Sequence, residues 1–322
     1  MRARFAATIA LTAATTLILG ACSADSASNA EGEGDVSLVV TTTPLGSVTS
    51  QLATCAGGTA TTLMPVNADP HDFSASSAQV ADMVKADLVI ANGLGLEAGL
   101  GAALDQVKAD GTEVLHVAEL VNPLPFGDHA HEHGDGEHGD HEAHDHGDLD
   151  PHFWLDAARM AEAARIIGER VAEQAGDRAW ADCGTELAEE LDALDGELRE
   201  TLAVIPEERR AIVTDHEAFG YFNQAYGFRS VGVVVPGGST EAQPSSRDLA
   251  ELAGAIREEG VPVIFSNVAL NPGLVEALAA EVGESVQVVA LYEGSVGPED
   301  SPAADYQGMM RENARLVTEA LS

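Results

Sequence analysis

The chain has 322 residues, of which 45% are hydrophobic, and its formal net charge at pH 7 is −37. This length is enough for two domains of ordinary size, each with its own buried core. The 53 acidic and 16 basic residues argue against nucleic acid as a partner, because phosphate binding needs clusters of Lys and Arg. The acidic excess is compatible with the attraction of cations.

The N-terminus has the pattern of a secretory signal peptide. Arg2 and Arg4 precede an apolar segment, and small residues then lead to Cys22. A Cys directly after Leu-Gly-Ala resembles the bacterial lipobox, which predicts a lipoprotein signal peptide over residues 1–22 with Cys22 as the lipid-modified residue. The alternative is an ordinary signal peptide with an incidental Cys. Residues 23–35 are rich in Ser, Ala, Gly and acidic residues, which predicts a flexible tether.

These features predict an extracytoplasmic protein that is anchored to the cell membrane as a lipoprotein. Two cysteines, Cys55 and Cys183, then remain for the folded part of the chain. Outside the cytoplasm such a pair can oxidise, so a disulfide between them is expected. The alternative is two buried free thiols, since the sequence does not give their separation.

From residue 36 onward, short β-rich runs alternate with helical segments. In the first lobe, over residues 36–176, the predicted strands span 36–43, 59–66, 87–92 and 112–119, and the predicted helices span 44–55, 77–85, 97–108 and 157–174. Apolar strands that alternate with helices predict a parallel sheet covered by helices on both faces. This lobe includes a His-rich loop over residues 128–148.

A long rigid linker helix is predicted within residues 177–205, about 22 residues or roughly 33 Å long. The alternation then resumes in a second α/β lobe, over residues 206–322. Its predicted strands span 211–215, 228–235, 261–267 and 285–291, and its predicted helices span 217–226, 246–258, 272–282 and 303–321. Ligands of open α/β sheets bind outside the carboxyl ends of the strands, which predicts a site in the cleft between the two lobes.

The histidines fall into two groups. Seven of them lie in the acid-rich loop: His129, His131, His133, His138, His141, His144 and His146. A tract so dense in imidazole indicates metal binding, and its lack of apolar periodicity predicts a mobile loop. We interpret it as an accessory loop that captures zinc near the cleft. The alternative is low-complexity sequence without a role.

Three scattered histidines share a different context. His71, His152 and His216 each lie in a predicted loop beside a carboxylate that could orient the second ring nitrogen. A single His in such a loop is more often structural, but three in parallel contexts across both lobes indicate one shared metal site. His116 lies inside a predicted strand and is expected to be a core or edge residue.

Several segments resemble one known family. ADPHDF, DPHFWLD and DHEAFGYFNQAYGF are similar to the three histidine motifs of the periplasmic and lipoprotein zinc- or manganese-binding proteins of ABC transporters, cluster A-I. TTTPLGSV, ADLVIANGLGLE, STEAQPSSRDL and AADYQGMMRENARLV resemble further family segments in the family's order. The resemblance implies a monomeric, non-enzymatic protein that captures Zn²⁺ and delivers it to a membrane permease.

The resemblance also implies a ligand set. His71, His152 and His216 correspond to the three histidine ligands, and the family's fourth ligand, usually an Asp, falls near Glu293. Because Glu is one methylene longer than Asp, either Glu293 or a water molecule could complete the site. Three imidazoles and one carboxylate suit four-coordinate Zn²⁺, whereas Mn²⁺, the alternative cargo, prefers more oxygen ligands.

Three other functions compete with zinc transport: manganese transport, an adhesin-like surface role, and hydrolysis by a secreted zinc enzyme. A catalytic zinc needs an open coordination position and a general base. Outside the His-rich loop the sequence has no HExxH motif or equivalent helical pair. Binding without catalysis is therefore the preferred interpretation.

Overall fold

The computed structural model describes residues 36–126, 149–240, 242–283 and 286–322. The first lobe is built on a sheet of four parallel strands in the order β2-β1-β3-β4. Its elements are β1 (Ser37–Val40), α1 (Thr43–Ala56), β2 (Thr59–Thr62), α2 (Ser77–Lys85), β3 (Leu88–Ala91), α3 (Gly101–Ala109) and β4 (Glu113–His116). Each strand is four residues long.

Two long helices follow, and the second lobe repeats the parallel sheet in the order β6-β5-β7-β8. The elements are α4 (Ala157–Ala175), α5 (Ala179–Leu202), β5 (Ala211–Thr214), α6 (Gly220–Tyr226), β6 (Arg229–Val233), α7 (Ser246–Glu259), β7 (Val263–Asn267), α8 (Gly273–Val282), β8 (Gln287–Leu291) and α9 (Tyr306–Leu321). The predicted two-lobe α/β fold is therefore confirmed. Among the described helices, none is both long and apolar enough to cross a bilayer.

Several element boundaries differ from the prediction, and the end of β2 and the start of α6 have clear physical reasons. Strand β2 ends at Thr62 rather than at residue 66, and Pro65, which has no N–H to donate, follows closely. Helix α6 begins at Gly220 rather than at Glu217. A tight turn occupies the intervening residues, in which the Ala218 N–H donates to the His216 carbonyl.

Helix ends carry the expected capping chemistry. Ser76 and Gln79 form a reciprocal capping box at the start of α2, and the Asp156 side chain accepts from two N–H groups at the start of α4. Both arrangements satisfy N–H groups that have no partner within the helix. Gly176 ends α4 with φ of 69°, a conformation that favours glycine.

Helices α4 and α5 pack closely together through two glycines. A Cβ atom on Gly168 would lie 2.6 Å from the Trp180 carbonyl oxygen, and one on Gly184 would lie 2.8 Å from the Ala164 carbonyl oxygen. Neither position has room for a side chain, which explains why glycine stands at this crossing. The predicted linker helix is thus one member of a tightly packed helical pair.

One apolar core extends beneath both sheets. It joins Leu38 and Ile90 of the first sheet to Ile212 and Phe265 of the second, and it includes buried residues of α1, α4, α5 and α9. Interiors packed in this way resist gradual deformation. The site between the lobes is therefore held by a continuous scaffold.

Candidate metal centre

The structure brings the three scattered histidines together at the interface of the lobes. His71 lies in the loop after β2, His152 precedes a short 3₁₀ turn (Phe153–Leu155), and His216 lies two residues beyond β5. The Nε2 atoms of His71 and His152 are 3.3 Å apart. The three ring centroids are 5.3 to 5.4 Å from one another.

Glu293 joins the cluster through His216. It lies two residues beyond β8, and its Oε1 is 3.1 Å from the His216 Nε2. One potential ligand atom from each of the three histidines lies within 4.8 Å of the others, and Glu293 forms a second such group with Asp215 and His216. The exposed fractions of His71, His152, His216 and Glu293 are 3%, 1%, 1% and 2%. A bound ion would therefore be shielded from solvent.

Two of the imidazoles have a carboxylate oxygen close to their Nδ1 atom. Asp150 Oδ1 lies 2.7 Å from the His152 Nδ1, and Asp215 Oδ1 lies 3.0 Å from the His216 Nδ1. An Nδ1–H that donates to a carboxylate leaves the Nε2 lone pair for a metal and fixes the orientation of the ring. Each of these two carboxylates also accepts from the backbone N–H of its histidine.

The carboxylate beside His71 has a different role. Asp69 Oδ1 accepts from the backbone N–H of His71 at 3.0 Å, and its Oδ2 accepts from the Thr240 hydroxyl of the second lobe at 2.5 Å. Asp69 thus connects the His71 loop to the opposite lobe. All three histidines thus have an adjacent carboxylate, as their local sequence predicts.

Three carboxyl groups at the site have shifted pKa values. Burial raises the pKa of Asp150 to about 8, although the His152 N–H acts in the opposite direction. Burial and the neighbouring Asp215 raise the pKa of Glu293 well above its usual value. For Asp215, burial also acts to raise the pKa, but the hydrogen bond and charge of His216, together with hydrogen bonds to Glu293 and the Asn267 N–H, lower it overall. A dication bound beside the imidazoles would favour the ionised form of these buried carboxyl groups.

Trp154 connects the two lobes directly beside the site, a role that its sequence context does not predict. Its Nε1–H donates to the Glu293 carbonyl at 2.7 Å, and its own carbonyl accepts from the Tyr306 hydroxyl at 2.6 Å. The indole ring also lies 5.3 Å from the His152 ring, centroid to centroid. Its place two residues after His152, within the DPHFWLD segment, is the sequence feature that could have singled it out.

Cys55 and Cys183 form the expected disulfide, which joins α1 to α5 with a Cα–Cα distance of 6.0 Å.

Cys22 and the seven histidines of the predicted capture loop, residues 129–146, lie outside the described residues. His116 forms the end of β4, where its Nε2 is 2.8 Å from the Lys108 amine.

Comparisons with known proteins agree with this architecture. Residues 38–320 match the family described as the zinc-uptake complex component A, periplasmic. The manganese-binding lipoprotein MntA of Bacillus subtilis is 30% identical over 321 residues, covering 95% of this chain and 96% of MntA. The zinc-binding protein TroA of Treponema pallidum is 29% identical over 266 residues, covering 81% of this chain and 80% of TroA.

A solved structure of the periplasmic zinc-binding protein TroA of Treponema pallidum superposes with a TM-score of 0.75 and 27% identity, covering 90% of this chain and 100% of that one. Two parallel sheets with a buried site at their interface thus place the chain among the two-lobed solute-binding proteins. It belongs to the zinc-uptake component A family, the cluster A-I substrate-binding proteins of metal ABC transporters. This family consists of solute-binding proteins and not of enzymes, which excludes the secreted hydrolase.

Proposed function

We propose that this chain is the extracytoplasmic zinc-binding component of an ABC importer, with His71, His152, His216 and Glu293 as the ligands. The observation that carries the proposal is the buried convergence of three imidazoles, two of which have their Nδ1 atoms against Asp150 and Asp215. Nitrogen-rich, four-coordinate sites favour Zn²⁺ over Mn²⁺. The carboxylate of Glu293 would complete such a set and offset part of the charge of the ion.

Manganese is the second candidate cargo. It is favoured by the relative MntA, a manganese-binding lipoprotein that matches nearly the whole chain. The donor set argues the other way, because Mn²⁺ prefers oxygen ligands and a higher coordination number. A water molecule in place of Glu293 would leave the three imidazoles as the main donors, which again favours zinc.

The proposed transport cycle follows from the burial of the site and the rigidity of its scaffold. Ligands that are 1% to 3% exposed cannot exchange an ion with solvent unless part of the site moves. The continuous core and the packed α4–α5 pair favour small tilts and loop rearrangements over a wide hinge closure. The loaded monomer would then dock on a membrane permease and release the ion there.

The remaining assignments complete this proposal. Residues 1–22 would be removed as a lipoprotein signal peptide and Cys22 would carry the lipid anchor, with 23–35 as the tether. The histidines of residues 129–146 would collect zinc weakly and raise its concentration near the cleft. Such a loop would lose metal as the pH falls through about 6.5, where free imidazoles become protonated.

The test is a competition titration of metal-free protein with Zn²⁺ and with Mn²⁺ against a chromophoric chelator. His152→Ala is expected to lose more zinc affinity than the about 10- to 100-fold that follows from altering a residue that only orients a ligand. His116→Ala is the matched control, because His116 lies on β4 and makes its contact with Lys108. Tighter binding of Mn²⁺ than of Zn²⁺ would select the second candidate, and equal losses in the two variants would overturn the ligand assignment.

A further inference from the structure

Two buried asparagines hold the backbone next to two of the proposed ligands. Asn92, which directly follows β3, donates from Nδ2 at 3.0 Å to the carbonyl of Pro151, the residue before His152. Asn313, on α9, donates from Nδ2 to the Tyr292 carbonyl at 2.7 Å and accepts from the Tyr292 N–H at 2.9 Å, directly before Glu293. The exposed fractions of Asn92 and Asn313 are 0% and 2%.

These contacts replace hydrogen bonds that regular structure would supply. Pro151 lies outside every helix and strand, and Tyr292 comes just after the end of β8. Backbone groups buried without a ladder partner need another partner, and the energetic cost is high where none is present. The peptide before a ligand residue positions the Cα of that residue. Fixing this peptide therefore helps to fix the position of the ligand atom.

Asn92 is itself held firmly. Its backbone N–H donates to the Glu97 Oε1 at 2.7 Å, and the Thr41 hydroxyl donates to the same oxygen at 2.6 Å. Glu97 Oε2 accepts from the Gly93 N–H at 3.1 Å. The buried Glu97 carboxylate therefore ties together the ends of β1 and β3, from which Asn92 reaches the His152 segment.

The chemistry at Asn92 also explains why an amide stands there. Among the described residues, its Oδ1 is a buried acceptor without a hydrogen-bond partner. An unsatisfied buried acceptor costs about 1–3 kcal/mol, so a residue placed here for packing alone would be apolar. Asn92 therefore acts through its Nδ2 donor, which contacts the Pro151 carbonyl.

We infer that Asn92 and Asn313 are positioning residues that set the metal affinity of the site by fixing the peptides before His152 and Glu293. This inference rests on the proposed function, since it takes those two residues as ligands. One asparagine anchors its ligand to the first sheet and the other anchors its ligand to α9. Each lobe would thereby fix the peptide before one ligand through an asparagine side chain.

The test uses Asn92→Asp and Asn313→Asp, which keep the shape of the side chain and replace the donor with an acceptor. Each variant is expected to bind Zn²⁺ about 10- to 100-fold more weakly than the wild-type protein in chelator competition. The control is Thr112→Val, which removes a 2.8 Å hydrogen bond from a hydroxyl to the Val84 carbonyl in the first lobe. This control should lower the midpoint of thermal unfolding and leave the zinc affinity unchanged.

A second measurement separates positioning from a loss of stability. The visible absorption spectrum of the Co²⁺-loaded protein reports coordination geometry, and it should change in both asparagine variants and stay the same in Thr112→Val. If the Asp side chain prevents folding, Asn92→Ala and Asn313→Ala remove the donor without adding a charge. Wild-type zinc affinity and an unchanged Co²⁺ spectrum in the folded variants would overturn the inference while the proposed function stands. Failure of the wild-type protein to bind zinc would instead overturn the proposed function.

Discussion

Removal of the disulfide is expected to lower stability without changing metal binding. The bond joins residues 128 positions apart, and the chain-entropy relation for a loop of that length gives a stabilisation of about 5 kcal/mol at 25 °C. In domains of 150–250 residues each kcal/mol corresponds to about 2–4 °C in the unfolding midpoint. The double variant Cys55→Ser/Cys183→Ser should therefore unfold about 10–20 °C lower than the oxidised wild-type protein.

The location of the bond predicts that the site is spared. Helix α1 has 14 residues, about 21 Å in length, with Thr43 at its first position and Cys55 in its last turn. Thr43 contacts Ser295 near the site, at 3.2 Å between the hydroxyl oxygens, so the disulfide lies at the far end of the helix.

Thermal melts followed by circular dichroism, with and without reductant, measure the effect. The reduced wild-type protein should match the double variant, and both should bind zinc with the affinity of the oxidised protein. An unchanged midpoint would refute the loop-closure reasoning. A loss of zinc affinity that parallels the loss of stability would refute the separation of the disulfide from the site.

Three further predictions follow from the site. Deletion of residues 129–146 should leave equilibrium zinc affinity largely intact in competition titrations, because the ligand set lies elsewhere; a loss as large as that of His152→Ala would place the tight site in the deleted run. Zn²⁺ at 1,000 times its Kd should stabilise the metal-free protein by about 4 kcal/mol, and a chelator should reverse this gain in thermal melts. Trp154→Phe leaves the Glu293 carbonyl without its 2.7 Å donor and should cost about 1–3 kcal/mol in urea unfolding; no loss would show that this contact between the lobes is energetically neutral.

The fold was predictable because its signals are local. Short apolar strands such as Leu88–Ala91 alternate with helices that carry their own start and stop residues, including the Ser76–Gln79 capping box and Gly176. The less accurate boundaries lie where tertiary contacts decide. Residues 217–219 have helical neighbours in sequence, but the Glu217 N–H donates to the Gly237 carbonyl of another loop, and the helix starts only at Gly220.

The site was predictable in part. His71, His152 and His216 share a recognisable local context, so the sequence could nominate them, but only the fold shows their Nε2 and ring positions converging. Nothing in the local sequence shows what the side chains of Asn92 and Trp154 contact. Asn92 contacts a residue 59 positions away and Trp154 one 139 positions away. Such contacts depend on chain topology, which local residue patterns do not encode.

The most direct test of the account is a crystal structure of the zinc-loaded protein with anomalous data at the zinc edge. One fully occupied ion is expected between the lobes, with histidine nitrogens of His71, His152 and His216 at about 2.0–2.1 Å and a carboxylate oxygen of Glu293 at about 2.0–2.2 Å. A water molecule in place of Glu293 would correct the fourth ligand alone. An ion bound only within residues 129–146, with no metal on the three buried histidines, would contradict the assignment of His71, His152 and His216 as the zinc site.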